Sequence, residues 1–527
     1  MVDEWLEKHP HEDPTKYLFV SYTGLQFNRK SREDSMALRQ LAERATRDAG
    51  LQAYWSDLDC MPAEDLEEDV YRISDVVRGA HSLAIAVAPC FYGGKQVTST
   101  IELLKIWGTR MWTWPEVLLA PVGSRILVYN LGQDMSNPLE LDKRNFAASV
   151  WEDAPDGRQL VDHYEGTLIL SRLELVILAF KCLRSRLGGT TEYCKGDLSY
   201  ALMGLLRQRP EVDKSDSAFQ AFARLSLAND SDLLLERLIC MLPRERTEDW
   251  SAMDDSWDVL PWDIYPTCQI AGIGDKDTVI IDGAFGATIK WDSFAKVAFT
   301  NKETWIRLIA RLLLRGTPLW FIAGIVPIAL GQPAAGVIFL VLSIITILTS
   351  PIMVKHCYGG KLWGTQAWLF GFEGYLDIDT IERKIFGFPY GRLQWTPFGS
   401  PLSRHGENMY GECEGRDPVM TDESVRRLVE SAPSSAYGAP KIFTLVDTNT
   451  MTVTMFEAVR PPVVALLCGS EGGMQRAVMC SYDWKSQTLY RETVLRVETR
   501  VLERMSRVGR VRFGLKREDD DVRKLVG

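Results

Sequence analysis

The sequence contains no CxxC, no HExxH, no GxSxG, no GxxxxGK[ST], and no GxGxxG after its first apolar segment. These absences remove redox dithiol and zinc-ribbon chemistry, zincin proteolysis, the nucleophile elbow, P-loop phosphate binding and the dinucleotide fingerprint. Histidine is scarce: the 6 present are His9, His11, His81, His163, His356 and His405, and none is paired at metal-ligand spacing. No metal site and no Ser-His-Asp centre is expected. The 10 cysteines are scattered too thinly for a disulfide framework, which points to a reducing, intracellular compartment. Residues 1–16 are charged and lack an apolar core, so no secretory signal is expected. Basic excess is also missing. The 60 Lys and Arg face 70 Asp and Glu, a net charge of −10, so nucleic acid is not an expected partner.

What remains is an ordinary globular composition, 46% hydrophobic and 25% charged over 527 residues, enough for roughly three or four domains. One segment departs from it. Gly316 to Val354 carries no charge and is long enough for two membrane spans, with turn chemistry at Gly331-Gln332-Pro333. The expected helices run over about 305–331, interrupted by Pro318 and Pro327, and about 334–354; their apolar parts are 317–331 and 334–354. Arg307, Arg311 and Arg315 precede the run and Lys355, His356 and Lys361 follow it. By the positive-inside rule both ends, and both termini, are expected in the cytoplasm, with a lipid bilayer as partner. Trp363, Trp368, Phe370 and Phe372 then read as an interfacial aromatic belt. A hairpin buried in a soluble core, and a re-entrant hairpin, are the alternatives.

Before this segment, short apolar strands alternate with amphipathic helices over residues 17–150, the pattern of a doubly wound parallel α/β sheet. Residues 151–300 read as mainly helical with short strands near the end. Residues 301–375 hold the hairpin and its flanks, and 376–527 a mixed α+β region. Within the last, Lys441–Ala458 reads as a β-hairpin around Asp447-Thr-Asn-Thr, and 469–473 as a hairpin loop. Thr488–Arg507 reads as a helix with Val494, Val497, Val501 and Met505 on one face. Arg500, Arg504, Arg507, Arg510, Arg512, Lys516 and Arg517 form a basic stretch diluted by acidic residues, suited to solvent or to anionic head groups. Asn229-Asp230-Ser231 is a glycosylation sequon, expected unmodified on the cytoplasmic side.

The specific pattern lies in the first region. Ser21-Tyr22-Thr23-Gly24 ends strand one, Trp55-Ser56-Asp57-Leu58-Asp59-Cys60 ends strand two, and Arg110-Met111-Trp112-Thr113-Trp114-Pro115-Glu116 opens a later helix. Ligands of doubly wound sheets bind beyond the carboxyl ends of the strands, where this pattern would gather a hydroxyl, carboxylates, an arginine and indoles. A carboxylate beside an indole can have a raised pKa and act as a base or charge stabiliser. The same residues also suit a structural role, with Trp112 and Trp114 packing and Arg110 pairing Asp57 or Glu116.

These three segments are similar to the fungal heterokaryon-incompatibility (HET) domain, whose strand ending in S-Y-x-W-G, W-[IV]-D-x-x-C segment and R-x-W-x-x-Q-E helix occur in this order. Asp197-Leu-Ser-Tyr-Ala-Leu-Met-Gly204 resembles the D-x-x-Y-A-L-x-G helix that follows that domain. The chain has no Trp in the first motif, Ser56 in the second and Pro115 in place of Gln in the third. The resemblance implies a role in non-self recognition and programmed cell death, and a fold like the flavodoxin-like Toll/interleukin-receptor (TIR) domain. Some TIR-like domains cleave NAD, using a glutamate to stabilise the ribosyl cation. Carried over, Glu116 is the catalytic candidate, Ser21, Tyr22, Gly24, Trp55, Asp57, Cys60 and Trp112 form the motif and pocket, and Arg110 holds a phosphate or orients Glu116. NAD is then a substrate and no cofactor is required. Self-association and a protein partner would supply the trigger. Two further readings follow: an NAD-cleaving hydrolase proper, and a non-catalytic scaffold with a degenerate domain.

Overall fold

A computed structural model describes residues 16–61, 71–187, 194–229, 232–244, 250–275, 277–291, 305–358, 368–389, 391–403, 415–431 and 439–517. The chain divides into two compact units, Met1–Ile281 and Asp282–Gly527.

The first unit begins with an α/β sheet. Strands β1 (Tyr17–Ser21), β2 (Ala53–Trp55), β3 (Ser82–Val87), β6 (Ile126–Asn130) and β7 (Leu139–Leu141) lie in the order β2-β1-β3-β6-β7. The first four are mutually parallel and β7 closes one edge antiparallel. A small hairpin, β4 (Cys90–Tyr92) and β5 (Lys95–Val97), interrupts the path between β3 and β6. Side chains alternate across a strand, so β1 divides its residues between two faces. Leu18, Val20 and Tyr22 pack with Leu38, Leu41, Ala42 and Ala45 of helix α1 (Arg32–Asp48), which starts on the Ser31 cap and carries Glu33 and Asp34 in its first turn. On the other face, Ser21 meets Trp107 of helix α3 (Thr100–Gly108). Helix α2 (Ile73–Gly79) precedes β3, and helix α4 (Trp114–Leu119) follows α3.

The remainder of this unit is mainly helical, as its periodicity predicts: α5 (Lys143–Val150), α6 (Ala154–Tyr164), α7 (Arg172–Arg184), α8 (Asp197–Leu206), α9 (Ala218–Ala228) and α10 (Leu234–Ile239). Capping boxes at Ser171/Glu174 and Ser217/Gln220 set the starts of α7 and α9. Strands β8 (Gln269–Ile273) and β9 (Thr278–Asp282) follow.

The second unit packs two sheets face to face. One runs β19 (Ser506–Arg507), β10 (Phe285–Thr288), β16 (Val464–Glu471), β17 (Met474–Asp483), β18 (Thr488–Glu498), β20 (Val511–Gly514). The other runs β11 (Lys290–Trp291), β12 (Leu369–Glu373), β14 (Lys441–Asp447), β15 (Thr452–Ala458), β13 (Gln394–Trp395). Phe443, Leu445 and Phe456 fill the space between them with Leu467, Met479 and Leu495. The alternate residues Ile442, Val446, Val453 and Met455 pack under helices α13 (Ile378–Phe386) and α14 (Glu423–Ser431). The β14–β15 hairpin matches the sequence reading, and Gly283, at φ +78°, turns the chain between β9 and β10.

Three readings are corrected here. Trp368, Phe370 and Phe372 are not an aromatic belt; they lie on or beside β12 and are buried in the two cores, while Trp363 falls outside the described residues. Thr488–Glu498 is a strand and Thr499–Arg504 a 3-10 turn, not one helix. The β-branched run at Thr493, Val494 and Val497 pairs with β17, and this tertiary pairing prevails over the helical spacing. Gly469 and Ser470 sit inside β16, and only Gly472-Gly473, both at positive φ, make the turn.

The uncharged segment forms helices α11 (Trp305–Ala329) and α12 (Pro333–Tyr358), joined through Gly331 at φ +81°. Their most apolar stretches, Leu308–Ala329 and Gly336–Val354, have mean hydropathies of 1.6 and 2.6, and only 6% and 11% of those windows is buried. Both are long and apolar enough to cross a membrane, and neither is the buried core hairpin of a soluble fold. The helices touch closely at glycines. A Cβ on Gly336 would lie 2.5 Å from the Gly324 carbonyl oxygen.

Candidate functional site

Ser21 is the last residue of β1, and its Oγ accepts a hydrogen bond from Trp107 Nε1 at 3.0 Å. Glu116 enters the same neighbourhood from the first turn of α4, where Pro115 is tolerated because the first helical N–H groups have no intrahelical partner. The Glu116 side chain is buried, with 8% exposure for the residue, and its Oε2 has no hydrogen-bond partner. Burial pushes its pKa up to about 8, against a smaller opposing contribution from the Ser21 hydrogen bond. No cation contributes, so the carboxyl is mainly protonated at neutral pH.

A cavity of about 20 Å³ adjoins this carboxyl, lined among others by Trp112, Pro115, Tyr71, Ser74 and Tyr200. That is room for one or two waters. The lining comes from three elements. Trp112 and Glu116 belong to the α3–α4 corner, Tyr71 and Ser74 to the approach and first turn of α2, and Tyr200 to α8. The Tyr71 hydroxyl donates to Asp197 Oδ1 at 3.0 Å, and its ring packs 5.6 Å from Trp112 and 5.2 Å from Tyr200. Gly204 has no room for a side chain, because a Cβ there would run into Ser74. Asp197, Tyr200 and Gly204 thus place an acceptor, a ring and a close approach on consecutive turns of α8.

Tyr22, Arg29 and Asp57 form a separate group. Tyr22 faces α1, on the side of the sheet opposite Ser21. Arg29 Nε donates to the Tyr22 hydroxyl at 2.9 Å, its guanidinium sits 5.7 Å from the ring centre, and it forms an ion pair with Asp57. Asp57 opens a single helical turn ending at Cys60, whose thiol is exposed and pushed up in pKa by burial of part of its surface. Trp55 stacks on Phe19 at 4.9 Å. Gly24 has no atom near where a Cβ would stand and no positive φ, so nothing around it requires glycine. Arg110 lies in the turn between α3 and α4, where its carbonyl accepts from Thr113 Oγ1 at 3.1 Å.

The structure thus brings Ser21, Trp112 and Glu116 together with the Asp197–Gly204 helix. It does not add Asp57 to that group, whose ion-pair partner is Arg29. Sequence reasoning missed Arg29, Trp107 and Tyr71. Trp107 stood on an expected helix without a polar signal, and Arg29 and Tyr71 stand outside the motifs.

Trp114 serves packing. The Arg186 guanidinium lies 5.2 Å from Trp114 and 5.6 Å from Trp151, donates to the Gly108 carbonyl at 3.1 Å, and grips both oxygens of Asp153 at 2.6 Å. Among the described residues no group of three or more His, Cys, Asp or Glu is placed to hold a metal. Neither the family models, nor the curated proteins, nor the solved structures give a match to this chain.

Proposed function

We propose that this chain is a membrane-anchored signalling effector of the heterokaryon-incompatibility kind, acting in non-self recognition and programmed cell death. The observation that carries the reading is the convergence of separated motif segments on one buried carboxyl: Ser21 from the first, Trp112 and Glu116 from the third, and Tyr200 and Gly204 from the trailing helix. The strand order β2-β1-β3-β6 in parallel, with helices against both faces, supports a TIR-like arrangement.

Membrane anchoring is supported by α11 and α12. Their shared sidedness is supported by a strand pair, since Lys290 and Trp291 align with Phe370 and Gly371 in one sheet. A sheet cannot straddle a bilayer with open edges, so the chain leaves and re-enters it on one side. The Arg311 and Arg315 flank supports a cytoplasmic location for that side. Tethering on a membrane raises the effective concentration of neighbouring copies, which makes self-association a plain trigger.

NAD cleavage is the second reading, favoured by Glu116 itself. Ligand pockets usually measure about 300–1,000 Å³, and a carboxyl that stabilises a cation must be ionised. The cavity of about 20 Å³ beside Glu116 is too small for a dinucleotide, so this reading requires the site to open.

The test is expression of the full chain and of Glu116→Gln at matched abundance, reading viability and NAD together. Death with NAD loss, abolished in the variant, assigns catalysis to Glu116. Death with intact NAD in both proteins assigns a scaffold. Healthy cells with the full chain clustered at a membrane overturn the effector reading.

A further inference from the structure

The element that closes the Glu116 cavity from outside is held differently from its surroundings. Helix α8 is buried from Asp197 through Leu205, whereas α2 buries only Val77, with Tyr71 and Ala80 at its flanks. What fastens α2 is a set of polar contacts. At its N-terminal end Tyr71 donates to Asp197, and Arg209 donates to the Tyr71 carbonyl at 2.8 Å and to Ser74 Oγ at 3.1 Å while pairing with Asp75 at 2.6 Å. At its C-terminal end Arg78 donates to the Leu205 carbonyl at 3.3 Å, and the Tyr17 hydroxyl to the Val76 carbonyl at 2.6 Å. Arg209 follows a left-handed residue, Arg207 at φ +55°, which turns the chain back from α8 toward α2. Apart from the buried Tyr71 end, which packs on Trp112 and Tyr200, the helix is held by part-buried or exposed polar ties, and segments with few buried apolar contacts open without global unfolding.

We propose that residues 71–79 are a lid over the Glu116 cavity, docked on α8 by Arg209 and Tyr71, and that its release opens the site. The lid deepens the effector reading, because it names what keeps this site closed. Beneath it lie the unpartnered Glu116 Oε2, the Trp112 ring and Pro115. When Tyr71, Ser74 and Val77 move away, the cavity loses one wall and the carboxyl gains water. The fixed wall, α8, stays with the helices behind it. Arg209 is the lever: one side chain joins the lid backbone, a lid hydroxyl and a lid carboxylate.

The test uses the full chain in detergent micelles or nanodiscs. Amide exchange is followed by mass spectrometry in the parent, in Arg209→Ala and in Tyr71→Phe. The expected result is exchange at least tenfold faster over residues 74–79 in Arg209→Ala, with β3 and α7 unchanged, and a smaller rise in Tyr71→Phe. In a Glu116→Cys background, alkylation of that cysteine by N-ethylmaleimide, read on its own peptide, should accelerate at least tenfold when Arg209→Ala is added. Unchanged exchange over 74–79, or exchange that rises equally in β3 and α7, overturns the lid. Neither readout uses NAD or cell death. Loss of the effector reading therefore leaves the lid standing, and loss of the lid leaves Glu116 as the candidate residue.

Discussion

A carboxyl with a pKa near 8 leaves a trace in stability as well as in chemistry. Unfolding returns Glu116 to the ordinary carboxylate range, near 4.5. Between that value and about 8 the folded protein holds a proton that the unfolded chain has released, so this group's contribution to stability falls as pH rises across that window and levels off above it. Glu116→Gln removes the titration. The variant should unfold at a higher temperature than the parent at pH 8, the two should converge near pH 5, and the difference should amount to a few kcal/mol, about 1.4 per pKa unit. Thermal melts of both proteins at four pH values decide it. Arg186 makes a second prediction. Replacing it by Met leaves Asp153 half-buried without its partner and removes a cation from between Trp114 and Trp151, and a loss of about 3 kcal/mol is expected. Denaturant titration of Arg186→Met measures it. Asp153→Asn in the same background should recover part of the loss.

At the scale of elements, the two apolar helices and the parallel strands were legible because each is set by local pattern. The uncharged run and Gly331 each act within their own neighbourhood. The errors came where a distant strand decided the outcome. Thr488–Glu498 offers valines at helical spacing, yet β17 supplies a ladder along its whole length. Phe370 and Phe372 follow the apolar hairpin in sequence but join β14 in space. Site residues divided in the same way. Ser21, Trp112 and Glu116, which the structure brings together, lie in short motifs, whereas Tyr71 and Arg29 act through partners far along the chain. The hairpin carries a third prediction. Ile345 is 53% exposed near the middle of α12. Ile345→Arg should lower membrane insertion by about 2.5–3.5 kcal/mol. Carbonate extraction should then release much of the protein, while Trp484→Arg, on an exposed β-turn, should leave it in the pellet.

For the whole molecule, the two units give the chain a division of labour that composition alone does not reveal. The first holds the candidate site and the second the apolar hairpin. Replacing residues 305–358 by a Gly/Ser linker should leave the Glu116 neighbourhood intact and release the protein from membranes, and the proposed effector role then predicts loss of cell death. Fractionation and viability read the two effects separately. Restored killing when the linker variant is fused to an unrelated membrane anchor would assign the hairpin to tethering alone.

Strands β11 and β12 are neighbours in one sheet, yet the entire apolar hairpin is synthesised between them. During translation β11 emerges first and has to wait. Its parallel partner cannot reach it until both helices have left the ribosome and found their place. The sheet is therefore completed only after the hairpin, and the finished strand pair works like a clasp fastened last. A chain whose hairpin stalls would display an open sheet edge, a form that quality-control proteases and chaperones recognise. Placement of the hairpin thus becomes a condition for closing this edge of the sheet.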